Sequence, residues 1–105
     1  MQVINTARFE RSMEFVISCG RNIYSRKIIR QFYNDYKKYR TLLSSSPRIG
    51  QKELLLEGES LEYRYVFIKP YFKIIYLIQD DALYLMDVWD IRQEPRNIQS
   101  RISES

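Results

Sequence analysis

Three runs rich in β-branched and aromatic residues, Tyr63-Arg64-Tyr65-Val66-Phe67-Ile68, Phe72 to Ile78 and Leu83 to Trp89, follow one another with only short joints between them. No other feature constrains the fold as much. The joints, Lys69-Pro70-Tyr71 and Gln79-Asp80-Asp81-Ala82, are turn-prone, so the three strands are expected to form an antiparallel meander. The middle run is apolar at nearly every position except Lys73, which places it inside the sheet. Something must then cover one face, and the other face can be only partly solvated.

The cover comes from the first half of the chain. Val3-Ile4 reads as a brief strand, and Asn5-Thr6 supplies residues that favour a helix N-cap. Phe9, Met13, Val16 and Ile17 recur on one helical face, and Gly20 fits the stop. Ser25 is the next N-cap. Ile29, Phe32, Tyr33, Tyr36 and Leu43 share one side of a second helix that runs to about Ser44, while Arg26, Lys27, Arg30, Lys37, Lys38 and Arg40 fall mainly on its other faces. Together these predict a helical hairpin with a longer second helix. Ser44-Ser45-Ser46-Pro47 ends it. Between Pro47 and Ser60 no clear period appears, though Glu53-Leu54-Leu55-Leu56 reads as an edge strand. The fold class is thus α+β: a short N-terminal strand and a two-helix hairpin packed on a small antiparallel sheet. Residues 1–95 form one domain, and 96–105 form a polar tail that is either a loose end or a short helix.

Composition removes several function classes. With 105 residues, 45% hydrophobic and 14% aromatic, the chain can bury one core. It has no histidine, so no imidazole base or ligand. The lone Cys19, beside Gly20, excludes disulfides and thiolate metal sites, and as a nucleophile it would want a base the chain does not have. Asp80-Asp81 is a hairpin turn rather than a metal pair. No cofactor and no metal are expected. Apolar stretches fall short of the roughly 18 residues a membrane span needs, and Met1-Gln2-Val3-Ile4-Asn5 is not a signal peptide, so a cytoplasmic protein is expected. Seventeen basic residues against 13 acidic leave a net charge of +4, which suits phosphate or an acidic protein partner.

The order strand, helix, helix, meander, with Pro47-Arg48-Ile49-Gly50, Tyr63-Arg64-Tyr65-Val66, Lys73-Ile74-Ile75-Tyr76, Asp80-Asp81 and Asp87-Val88-Trp89-Asp90-Ile91-Arg92-Gln93-Glu94-Pro95, resembles the RelE/ParE superfamily of bacterial toxins over nearly the whole chain. The resemblance implies a type II toxin–antitoxin toxin, neutralised by a cognate antitoxin that wraps it in a hetero-oligomer. The family holds both ribosome-dependent mRNA endonucleases and non-cleaving gyrase inhibitors, so the implied target is DNA gyrase or the ribosome with its mRNA. The endonuclease branch uses a Lys/Arg cluster to hold phosphate and a terminal Tyr or His to move a proton. On that pattern Lys73 and Arg92 match basic positions of the family, and Arg64 on the neighbouring strand can complete a phosphate- or target-binding cluster. The acid/base position departs from the family: after Tyr84 there is no tyrosine. That leans the reading towards a ParE-like gyrase inhibitor, against a RelE-like endonuclease or a non-toxic basic binding module of the same fold.

Each candidate also has a purely structural reading. Lys73 can be a snorkelling lysine of a central strand. Arg92 can pair with Asp90 or Asp87, and Arg64 can lie on a solvated face. Tyr71 and Tyr76 can stack on bases, but Tyr76 also suits packing against the helices. Nine tyrosines suggest base stacking, yet most fall on core-facing positions. The basic outer face of the second helix is either plain solvated surface or a landing site for nucleic acid or an acidic antitoxin segment.

Overall fold

The computed structural model describes residues 1–19, 23–53, 56 and 61–92. Strand β1 (Gln2–Asn5) leads into helix α1 (Ala7–Glu14), which continues as a π-helical segment over Phe15–Cys19. Helix α2 (Arg26–Ser45) follows, then the short β2 (Gln51–Lys52) and the meander β3 (Glu62–Ile68), β4 (Phe72–Gln79) and β5 (Ala82–Asp90). The fold class is the expected α+β. Its sheet is mixed, in the order β1-β5-β4-β3-β2, because β1 joins the outer edge of β5 in parallel while every other pair is antiparallel.

Local chemistry accounts for the boundaries. Thr6 caps α1: its Oγ1 accepts from the Phe9 N–H at 3.1 Å and donates to the Leu85 carbonyl at 2.8 Å, which pins the start of the helix to β5. Ser25 caps α2 in the same way, accepting from the Ile28 N–H at 3.2 Å. Asp80 and Asp81 both take positive φ, 52° and 63°, in the two-residue loop between the paired residues Gln79 and Ala82. Two positive φ values define the type I′ turn whose twist matches a hairpin, and Asp tolerates that region better than most residues. In β5 one extra residue interrupts the register between Leu85 and Asp87, so Leu85 and Val88 both reach the helix side.

A short strand lies at Gln51–Lys52, just before the stretch Glu53 to Leu56 that the sequence reads as an edge strand. The Glu53 N–H still reaches the Tyr63 carbonyl of β3 at 3.0 Å, and the Leu56 N–H bonds to the Glu53 carbonyl at 3.0 Å. Residues 54 and 55, the Gly20 stop, the Cys19 side chain, Gln93-Glu94-Pro95 and the C-terminal tail lie outside the described residues. Among the described residues no helix is long and apolar enough to cross a membrane.

The core has two sides. On one, Phe9, Met13, Val16, Tyr24, Phe32, Tyr36 and Leu43 pack on Phe72, Ile74, Tyr76, Leu83 and Val88. On the other, Ile75, Leu77, Met86 and Trp89 are buried with Leu56. β4 is therefore apolar on both faces because both are covered. Tyrosines mostly pack: Tyr24 and Phe72 meet edge to face at 5.1 Å, and Tyr76 is fully buried. Tyr33 departs from the expected core face and is 41% exposed. One residue step turns a helix by about 100°, so with Phe32 aimed at the core its neighbour points outward.

Candidate functional site

Alternation along β4 sends Phe72 and Ile74 to the helices and Lys73 to the opposite face. There its Nζ lies 2.5 Å from Oε2 of Glu53 and 4.5 Å from the Tyr65 ring centre. Both partners are enclosed, with side chains 12% and 3% exposed. In that setting neither charge is hydrated enough to stand alone, and the pair holds the chain after β2 against the sheet.

Arg64 stands opposite Tyr76 in the register, on the helix-facing side. Its Nε donates to Glu62 Oε2 at 2.7 Å and its Nη1 to the Gly50 carbonyl at 2.8 Å. Arg48 grips the same carboxylate through two 3.2 Å bonds. Hydrogen bonding from Arg64, more than from Arg48, holds the Glu62 carboxyl below its ordinary range despite the opposing effect of burial. The adjoining Pro47–Gly50 loop hangs on the buried Tyr76 hydroxyl, which donates to the Pro47 carbonyl at 2.7 Å and accepts from the Gly50 N–H at 3.0 Å. Glycine is required at position 50 because a Cβ there would lie 2.4 Å from that hydroxyl and 2.6 Å from the Tyr65 carbonyl.

Arg92 folds back on Asp90. Its Nε donates to Oδ1 at 2.9 Å and its Nη2 to Oδ2 at 2.5 Å, while its backbone N–H also reaches Oδ1 at 2.9 Å. The guanidinium lies 3.7 Å from the Tyr71 ring centre. Tyr24 donates its hydroxyl to Asp90 Oδ2 at 3.0 Å. Burial alone would raise the Asp90 carboxyl, but the Arg92 and Tyr24 hydrogen bonds and the Arg92 charge bring it below its usual value. Burial and the neighbouring carboxylate push the Tyr24 phenol up to about 12, which makes it a poor proton donor at neutral pH.

The three cations read from the sequence are thus not gathered into one cluster. Lys73 and Arg92 do share the end of the sheet where β4 begins and β5 finishes. Arg92 lies over Tyr71 and Tyr24 on the helix side, however, and Lys73 points away to Glu53. Each of the three engages a different carboxylate. Of these acids, Asp90 was visible as a partner two residues from Arg92, and Glu62 carries the same two-residue signature before Arg64. Glu53 has no local signal, being 20 residues from Lys73. Tyr24 and Asp90 meet only through the fold. Among the described residues no group of three or more carboxylate or thiol side chains is placed to hold a metal.

A second feature lies on the other edge of the sheet. A groove of about 810 Å³ runs between the C-terminal half of α2 and β3. β2 pairs only with Arg64 and Tyr65, so among the described residues the β3 edge from Val66 to Ile68 has no strand beside it. Leu42, Ile49 and Phe67 line this groove and are 46%, 46% and 41% exposed. Unpaired backbone next to exposed apolar side chains is the combination that accepts an added strand. No family model matches the chain, and a search of curated proteins finds no match.

Proposed function

We propose that this chain is the toxin of a type II toxin–antitoxin pair, that it acts by binding DNA gyrase without cleaving nucleic acid, and that a cognate antitoxin neutralises it. The observation that carries the non-cleaving reading is the pairing of Lys73, Arg64 and Arg92 with Glu53, Glu62 and Asp90. A metal-independent nuclease needs cations free to meet a phosphate and a group able to move a proton. Here the three candidate cations are committed to internal carboxylates, histidine is absent, and the Tyr24 phenol that donates to Asp90 holds its proton to about pH 12. The antitoxin's place in this reading is the groove at the β3 edge, where an extended segment pairs with Val66 to Ile68 and covers Leu42, Ile49 and Phe67.

Expression of the chain alone tests this. Growth should stop with a DNA-damage response while transcripts stay intact, and the purified chain should inhibit supercoiling by gyrase. Transcripts cut at the ribosome would replace this reading with the RelE-like endonuclease. Harmless expression of folded chain would leave only a basic binding module of the same fold. A Phe67→Asp variant should stay toxic and escape the antitoxin; continued neutralisation would remove the groove from the reading.

A further inference from the structure

The basic residues of α2 behave unlike Arg64, Lys73 and Arg92. The helix carries six Lys or Arg and one acidic residue, Asp35, so its net charge exceeds the +4 of the whole chain. Arg40 is used internally, donating to the Val3 carbonyl and the Asn5 side chain. The other five, Arg26, Lys27, Arg30, Lys37 and Lys38, are exposed, and among the described residues none has a carboxylate partner. At about 100° per residue they fall on the arc opposite Phe32, Tyr36 and Leu43, with Asn34 and Thr41 between them and no acid.

This arrangement works against the helix that carries it. Arg26 and Lys27 occupy the first turn, where the macrodipole is positive, that turn holds no acidic residue, and the last turn holds no basic one. Arg26 and Arg30 are like charges four apart, and Lys27 and Arg30 three apart. Both effects are relieved when anions lie along this face.

We propose that the outer face of α2 binds the phosphate backbone of double-stranded DNA, without regard to sequence. This inference is independent of the toxin reading. The face is convex and one helix wide, which suits the roughly 12 Å major groove of B-DNA and not the deep, narrow groove of duplex RNA. Arg26 to Lys38 spans roughly 18 Å, about five base pairs of axial rise. An acidic peptide would want apolar anchors, and the exposed apolar side chains of α2 stand only at the margins of this face among the described residues: Tyr33, which lies against Tyr36 and under Lys37, and Leu42, one turn on from Lys38 in the groove beside β3. Backbone binding needs none.

Fluorescence anisotropy with a short labelled duplex of arbitrary sequence, titrated with the intact chain, tests the proposal. Five phosphate contacts give a slope of about −4.5 in log K against log salt, or a loss of roughly 500-fold between about 50 and 200 mM. Arg26→Gln, Arg30→Gln and Lys37→Gln should each reduce the slope by about 0.9, and the triple variant should lose only about 12-fold over the same range. Arg26→Lys and Arg30→Lys should keep the slope, as should Lys52→Gln and Lys69→Gln, which remove exposed cations elsewhere. Circular dichroism confirms that every variant is folded. Absence of binding at low salt, or an unchanged slope in the triple variant, would overturn the proposal. So would tighter binding to the single strand or duplex RNA, or competition by polyglutamate that matches duplex DNA charge for charge, which would assign the face to an acidic protein segment.

Discussion

Lys73 and Arg30 are both basic side chains in regular elements of one small chain, and their surroundings are opposite. Lys73 is enclosed, 2.5 Å from the Glu53 carboxylate, in the middle of a sheet covered on both sides. Arg30 is exposed on a helix whose outer face holds five cations and no acid. The difference follows from dielectric. A cation in the interior must bring its counter-charge with it, since desolvation of either partner alone is too costly. On the surface water screens like charges, so several can stand together at small cost and remain open to an external anion. A row of cations without internal partners can therefore offer its charge to another molecule.

The largest test of this contrast is to break the buried pair. Lys73→Met removes the counter-charge of the buried Glu53 carboxylate and should cost about 3–5 kcal/mol in urea unfolding, whereas Lys73→Met combined with Glu53→Leu should recover most of that loss. If the single substitution were neutral, Lys73 would be as free as the cations of α2. Next in size is Tyr24→Phe, which removes a buried hydrogen bond to a carboxylate and should cost about 1.5–3 kcal/mol by the same measurement.

A pH series sharpens the comparison further. Asp90 and Glu62 titrate below their ordinary values in the folded chain. Their contribution to stability is therefore present above about pH 4 and is lost as the pH falls through the lowered folded values. Tyr24 has the opposite sign: raised to about 12, its contribution is complete below the ordinary phenol value of about 10 and is lost as the pH rises through about 12. Unfolding midpoints of Asp90→Asn and Tyr24→Phe should be flatter than the parent on the acid and alkaline limbs respectively. The smallest effect belongs to α2. Arg26→Gln, Lys27→Gln and Arg30→Gln should each change stability by less than about 0.5 kcal/mol, with the first-turn pair slightly stabilising. A larger loss would mean that these cations have partners inside the molecule.

The amino-acid sequence alone determined the α+β class, the capped helices starting at Thr6 and Ser25, the Asp80-Asp81 hairpin and the interior position of β4, because each rests on period or on chemistry within a few residues. The basic outer face of α2 was legible for the same reason: helical spacing decides it. The parallel addition of β1 to β5, the open edge beyond β2, and the meeting of Glu53 with Lys73 and of Tyr24 with Asp90 were decided only by tertiary structure. These join residues 20 to 80 positions apart, and nothing in a local pattern records which distant carboxylate will reach a buried cation. Burial is what makes such a partner necessary. Arg64, Lys73 and Arg92 could be counted in the sequence, but only packing decided that they would be neutralised from within.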